Sequence, residues 1–182
     1  KKNNLLNIKN LDTALIVTTG RTGSDYLNCC LDNLNGVMTF CGKFNYHQFF
    51  PNSRTKINKL IVINKFLKKY YYLFSLNKEE NINTKVNVKK LKSNFLKIST
   101  KTEIDRKEFL GYLYVAYHLT LNRSLKNIKY LVHHSHGIKE TNKVLKDFPN
   151  SKILVTIRNP LANLKSGLKH WFKYDKKRIS IV

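Results

Sequence analysis

Hydrophobic positions fall into two regular stretches separated by a less regular middle. Ala14-Leu15-Ile16-Val17-Thr18-Thr19 is a continuous apolar and β-branched run, the pattern of a strand buried in a parallel sheet. It stops at Gly20-Arg21-Thr22-Gly23-Ser24, after which Tyr26, Leu27, Cys30, Leu31 and Leu34 recur at helical spacing. Ser24 suits an N-cap and Asp25 a first-turn anion. Asn35-Gly36 marks a turn before a short strand, Val37 to Phe40. The stretch 42–54 reads as loop in spite of Phe44, Tyr46, Phe49 and Phe50.

Residues 57–76 and 103–122 read as helices, and the Lys- and Asn-rich stretch 77–102 as a connection whose charges around 85–101 form a solvated surface. Tyr70-Tyr71-Tyr72, Tyr112, Tyr114 and Tyr117 read as core and rim of those helices, and Trp171 as packing. Regularity then returns. Tyr130-Leu131-Val132 is a strand entering His133-His134-Ser135-His136-Gly137, a helix spans about 138–147, and Lys152 to Arg158 is another strand. Asn159-Pro160 opens a last helix, with Pro in its first turn. Alternation of strand and helix predicts the α/β class: one domain over 1–182, a parallel sheet flanked by helices, with a helical insertion in the middle. Ligands of such sheets sit at the carboxyl ends of the strands. Ile179-Ser180-Ile181-Val182 reads as a strand cut short, and the sequence as a domain truncated at its C-terminus.

Composition narrows the function classes. With 42% apolar residues and 12% aromatics the chain is not a disordered polyelectrolyte, although its formal net charge is +23. Of the 34 bases only 6 are Arg, and Asn occurs 22 times; Lys, Asn and Ile share AT-rich codons, so much of the charge reflects base composition rather than a partner. The field still draws anions toward a concave site. Three Cys, two of them adjacent, make no disulfide framework, and no apolar run reaches the ~18 residues of a membrane span. A cytoplasmic protein with reduced thiols is the expectation.

Two motifs carry chemistry. Gly20-Arg21-Thr22-Gly23-Ser24, between strand and helix, provides glycines for a tight turn, N–H groups for an anion cradle and one fixed cation. It is not a Walker A loop, since Asp25-Tyr26 stand where Lys-Ser/Thr would be. The second motif is Arg158-Asn159-Pro160 with Ser166 eight residues after the Arg, so that both side chains can reach one phosphate at the sheet edge.

In order, context and separation, the pair resembles the sulfotransferases that use 3′-phosphoadenosine 5′-phosphosulfate (PAPS), over about residues 13–50 and 129–172. The resemblance implies a P-loop NTPase-like fold and a binding role for Arg21, Thr22, Gly23 and Ser24 at the 5′-phosphosulfate. It implies Arg158 and Ser166 at the 3′-phosphate, and sulfuryl transfer to a glycan or small-molecule acceptor. Two positions depart from the pattern: many relatives have Ser or Thr where Asp25 stands, and Gly-Glu where Gly42-Lys43 stands. The acidic base of some relatives is therefore not inherited. Histidine supplies the candidates, because imidazole titrates near neutrality. His136 is first choice as catalytic base, His47 the alternative, with Arg21 meeting the charge left on the departing phosphate. His133, His134 and His136 do not make a metal set, because alternate strand residues share a face only in pairs, so no metal is expected. A basic nucleic-acid-binding domain and another nucleotide-binding phosphotransferase are the competing classes. Scarce Arg counts against the first, and the missing Gly-Lys-Ser/Thr against the second.

Overall fold

The computed structural model describes residues 11–18, 20, 22–32, 34–40, 42–75 and 86–174. Its centre is a parallel sheet of four strands, β1 (Asp12–Thr18), β2 (Val37–Met38), β5 (Tyr130–His136) and β6 (Lys152–Val155), in the order β2-β5-β1-β6. A two-stranded antiparallel ribbon, β3 (Ile57–Asn58) with β4 (Glu103–Ile104), lies apart from it. The helices are α1 (Ser24–Leu31), α2 (Lys59–Tyr70), α3 (Tyr72–Ser75), α4 (Val88–Ile98), α5 (Arg106–Thr120), α6 (Ile138–Asp147) and α7 (Pro160–Tyr174). This is the expected α/β class with a helical insertion between the two halves.

Alternation along β1 and β5 sorts side chains onto two unequal faces. Ala14, Ile16 and Val132 face α1 and pack against Leu27, Leu31, Val37 and Tyr130. Leu15 and Leu131 face the main core, where α2, α4 and α5 contribute Phe66, Phe95, Phe109 and Tyr114. Phe40 and Phe44 meet edge to face at 4.9 Å, and Phe44 meets Phe66 at 5.2 Å. Such pairs add about 0.5–1.5 kcal/mol each beyond the area they bury.

Several local expectations are corrected. The stretch after residue 85 is not a solvated connection: α4 buries Leu91, Phe95 and Ile98, and its lysines lie on the other side. Runs of Lys hide an apolar stripe at spacings of three and four. On α1 the buried positions are Ser24 and Asn28, with Leu27 and Leu31 partly buried, whereas Tyr26 and Leu34 are exposed. Ser24 is the first helical residue rather than the cap; Gly23 caps the helix in a left-handed conformation. β5 runs on through the histidines, so His136 ends the strand instead of following it. β6 stops at Val155, three residues before Arg158. Tyr70, Tyr114 and Tyr117 are buried, Tyr71 and Tyr72 exposed. The Trp171 side chain and residues 175–182 lie outside the described residues. Among the described residues no helix is long and apolar enough to cross a membrane.

The aromatic stretch after β2 is not a free loop. Phe44, Tyr46, Phe49 and Phe50 are buried, with one 3-10 turn over His47–Phe49. Buried Asp147 at the end of α6 accepts hydrogen bonds from Tyr46 Oη at 2.9 Å, His47 Nε2 at 3.1 Å and Arg106 Nε at 2.8 Å. Tyr70 Oη accepts from the Asn45 N–H at 2.9 Å, and Asn45 Nδ2 donates to Glu140. Contacts to α2, α5 and α6 therefore hold this segment in place, with Phe44 and Tyr46 against His133 of β5.

Candidate functional site

The turn that leaves β1 begins with a short line of hydroxyls. Gly20 N–H donates to Thr18 Oγ1 at 2.9 Å, Thr18 Oγ1 lies 2.9 Å from Thr22 Oγ1, and Thr22 Oγ1 lies 2.5 Å from Thr156 Oγ1. β-Branched threonines suit strand ends, where their hydroxyls can leave the ladder and bind across it. The line runs from the end of β1 through the Gly20–Ser24 turn to the segment just after β6. It joins the first motif to the second, because Thr156 precedes Arg158 by two residues.

Gly23, at φ 88°, sets the direction of α1 without a side-chain cap, so the first N–H groups of the helix face the turn rather than a capping oxygen. They carry the positive end of the helix dipole. Ser24 is buried at the head of α1. Arg21 lies outside the described residues. Thr22 is spent on its neighbours, so its hydroxyl holds the turn in place. At the second motif, Asn159 caps α7, its Oδ1 accepting from the N–H groups of Leu161 and Ala162 at 3.0 and 3.2 Å. Pro160 then starts the helix, as the sequence predicts. Arg158 is exposed beside this cap, and Ser166 is half-buried six residues into the helix.

The histidines separate into distinct roles. His136 stands opposite Thr18 in the β1–β5 register and is exposed at the strand end. A β-carbon on Gly20 would lie 3.7 Å from His136 Nε2, which sets the imidazole directly over the turn. His47 is in the buried Asp147 cluster; the carboxylate can only accept, so Nε2 carries the proton there. The structure therefore brings His136, and not His47, to the Gly20–Ser24 turn. His133 points into the core, with Tyr114 Oη 2.9 Å from its Nδ1, and burial pushes its pKa down to about 3.

Sequence reasoning missed two further members of this cluster. Lys43 Nζ sits 3.0 Å from Asp25 Oδ2, so the two residues that depart from the sulfotransferase-like pattern of the sequence are each other's partner. His134 is buried on the α1 face with its Nδ1 3.6 Å from Asp25 Oδ1, inside ion-pair range but too long for a hydrogen bond. Neither of its ring nitrogens has a hydrogen-bond partner among the described residues. Burial, then the Lys43 charge, push its pKa down to about 4 against the pull of Asp25, so the ring is neutral at pH 7. The signal in the sequence was the opposite sign of the departures at positions 25 and 43. His134 was signalled by sharing β5's alternation with Val132 and His136.

In chemical terms, the end of the sheet offers helix N–H groups, a tied-down turn, an exposed imidazole and an exposed guanidinium. Among the described residues no group of three or more His, Cys, Asp or Glu side chains could hold a metal ion. No protein-family model, curated protein or solved structure matches the chain significantly.

Proposed function

We propose that the chain is a PAPS-dependent sulfotransferase domain that moves a sulfuryl group to a hydroxyl or amine of a carbohydrate-like or small-molecule acceptor. The observation that supports this reading most is the Thr22–Thr156 contact. It sets an anion-cradling turn beside the segment after β6 that leads to Arg158, the arrangement that suits a nucleotide phosphorylated at both 3′ and 5′ positions. In this reading the α1 N–H groups, Gly23 and Ser24 receive the 5′ group, with Thr22 holding the turn and Arg21 adding charge. Arg158 and Ser166 receive the 3′-phosphate. The acceptor oxygen attacks sulfur in line, the bond from sulfur to the 5′-phosphate oxygen breaks, and the acceptor proton passes to His136 Nε2. The charge developing on the departing phosphate falls to the helix N-terminus and Arg21.

Asp25 does not contradict this reading, because Lys43 neutralises it at 3.0 Å. The test is ligand-dependent melting, since a ligand that binds only the folded state stabilises it. Adenosine 3′,5′-bisphosphate (PAP) is expected to raise Tm, ATP and an oligonucleotide much less, and Arg158→Ala to abolish most of the PAP shift. Equal stabilisation by ATP, with normal PAP binding in Arg158→Ala, overturns the assignment in favour of a phosphotransferase. A response to the oligonucleotide alone favours nucleic-acid binding.

A further inference from the structure

Thr156 belongs to neither sequence motif, and its hydroxyl meets the first motif at Thr22, two residues before Arg158 of the second. It follows the last β1–β6 pair, Val17 with Val155, and is half-buried beside the turn. Thr18, at the other end of the hydroxyl line, is buried and already accepts the Gly20 N–H. A hydroxyl whose oxygen accepts a hydrogen bond becomes a better donor, and bonds in a chain strengthen one another. Whichever hydroxyl donates at each step, the contacts from Thr18 to Thr22 and from Thr22 to Thr156 make the line a strut from Gly20 to the backbone that carries Arg158.

We propose that Thr156 is a positioning residue that couples the two halves of the nucleotide site. The inference rests on the function proposed above. Without the strut each half keeps its own ligand groups: helix N–H groups and Ser24 on one side, Arg158 and Ser166 on the other. What is lost is their fixed separation, and with it the gain from engaging both phosphates of one molecule at once. Thr156→Val keeps the branched shape and removes the hydroxyl; Thr156→Ser keeps the hydroxyl and removes the methyl.

The experiment is calorimetric titration of the whole chain and its variants with PAP, 5′-AMP and 3′-AMP. Thr156→Val is expected to weaken PAP about tenfold, the scale of one good hydrogen bond. The two monophosphates, each using one half, should change by less than twofold, and Thr156→Ser should bind PAP like the native chain. Thr22→Val should cost a similar factor, and the double variant no more than either single one, because both break the same strut. This second pair keeps the test decisive if Thr156→Val alone proves unstable. Native PAP affinity in Thr156→Val, or an equal loss for all three nucleotides, overturns the positioning role while leaving the nucleotide assignment standing. Failure of the native chain to bind PAP overturns the proposed function and this inference with it.

Discussion

Asp25 and Lys43 illustrate what single residues disclose and what they hide. Read along the chain, a carboxylate beside an anion cradle looks like a contradiction. Across 3.0 Å it is half of an ion pair, and only the fold of the aromatic segment 44–50 brings Lys43 to it. The histidines divide by the same logic. His47, His133 and His136 are equivalent as residue types; the Asp147 cluster, the Tyr114 hydroxyl and the exposed strand end decide what each can do. His136 alone of the three lies over the Gly20–Ser24 turn, so it carries the prediction about the base. His136→Ala should lower turnover by roughly 10²–10⁴ and leave PAP affinity nearly unchanged, because its imidazole meets the acceptor and not the nucleotide. Steady-state rates alongside a PAP titration decide this. His47→Ala should instead show as lost stability, since it takes a donor from buried Asp147. A rate defect confined to His47→Ala would transfer the catalytic role to that residue.

Elements were legible where their pattern is self-contained. The buried run of β1, the α6 boundaries and the Asn159-Pro160 start of α7 follow from local rules and agree with the structure. α4 was missed because its apolar stripe, Leu91, Phe95 and Ile98, is diluted by Lys and acquires meaning only against α5 and α2. The 3-10 turn at His47–Phe49 was missed because the partners that hold its segment lie about 100 positions away in sequence, on Asp147. The start of α1 was off by one residue because Ser24 is a good cap by type, while the turn needs a left-handed residue at Gly23. That last point is testable at the level of the element. Gly23→Ala should cost about 1–2 kcal/mol, the penalty of placing a β-carbon in the left-handed region, although nothing within 4 Å obstructs the atom itself. Gly167 sits within α7 and likewise has open space at its β-carbon position. Gly167→Ala should therefore add about 0.5–1 kcal/mol by reducing the freedom of the unfolded chain. Urea unfolding of the two variants checks both signs; unchanged stability in Gly23→Ala would overturn the left-handed reading, and a loss in Gly167→Ala the entropic one.

For the molecule as a whole, the field of 34 bases against 11 acids acts on every ionisable group, and acid makes it worse. Three buried histidines respond first. Burial leads in pushing His133 down to about 3 and His118 and His134 to about 4, with the charge of Arg123 adding to it at His118 and that of Lys43 at His134. In the unfolded chain each titrates near the ordinary ~6.5, so between pH 6.5 and 4 the unfolded state binds more protons than the folded one. Their neutrality therefore supports the fold fully above pH 6.5 and loses that support as pH falls. The slope is up to about 1.4 kcal/mol per histidine per pH unit, so three of them across this window act on the scale of a typical stability of about 5–15 kcal/mol. Asp32 and Asp147, held below the ordinary carboxylate range mainly by their hydrogen bonds to Arg123 and to His47 and Arg106 against the opposing cost of burial, begin to withdraw support only below about pH 4. Acid unfolding followed by circular dichroism should thus have its midpoint between pH 4 and 6, ahead of the carboxylates. His118 is the cleanest place to test the cause, because neither of its ring nitrogens has a hydrogen-bond partner among the described residues and Leu removes the titration without orphaning one. His118→Leu should move the midpoint to lower pH and flatten the stability curve between pH 6.5 and 4. A native chain whose stability stays level down to pH 4 would show that these rings take up protons in place.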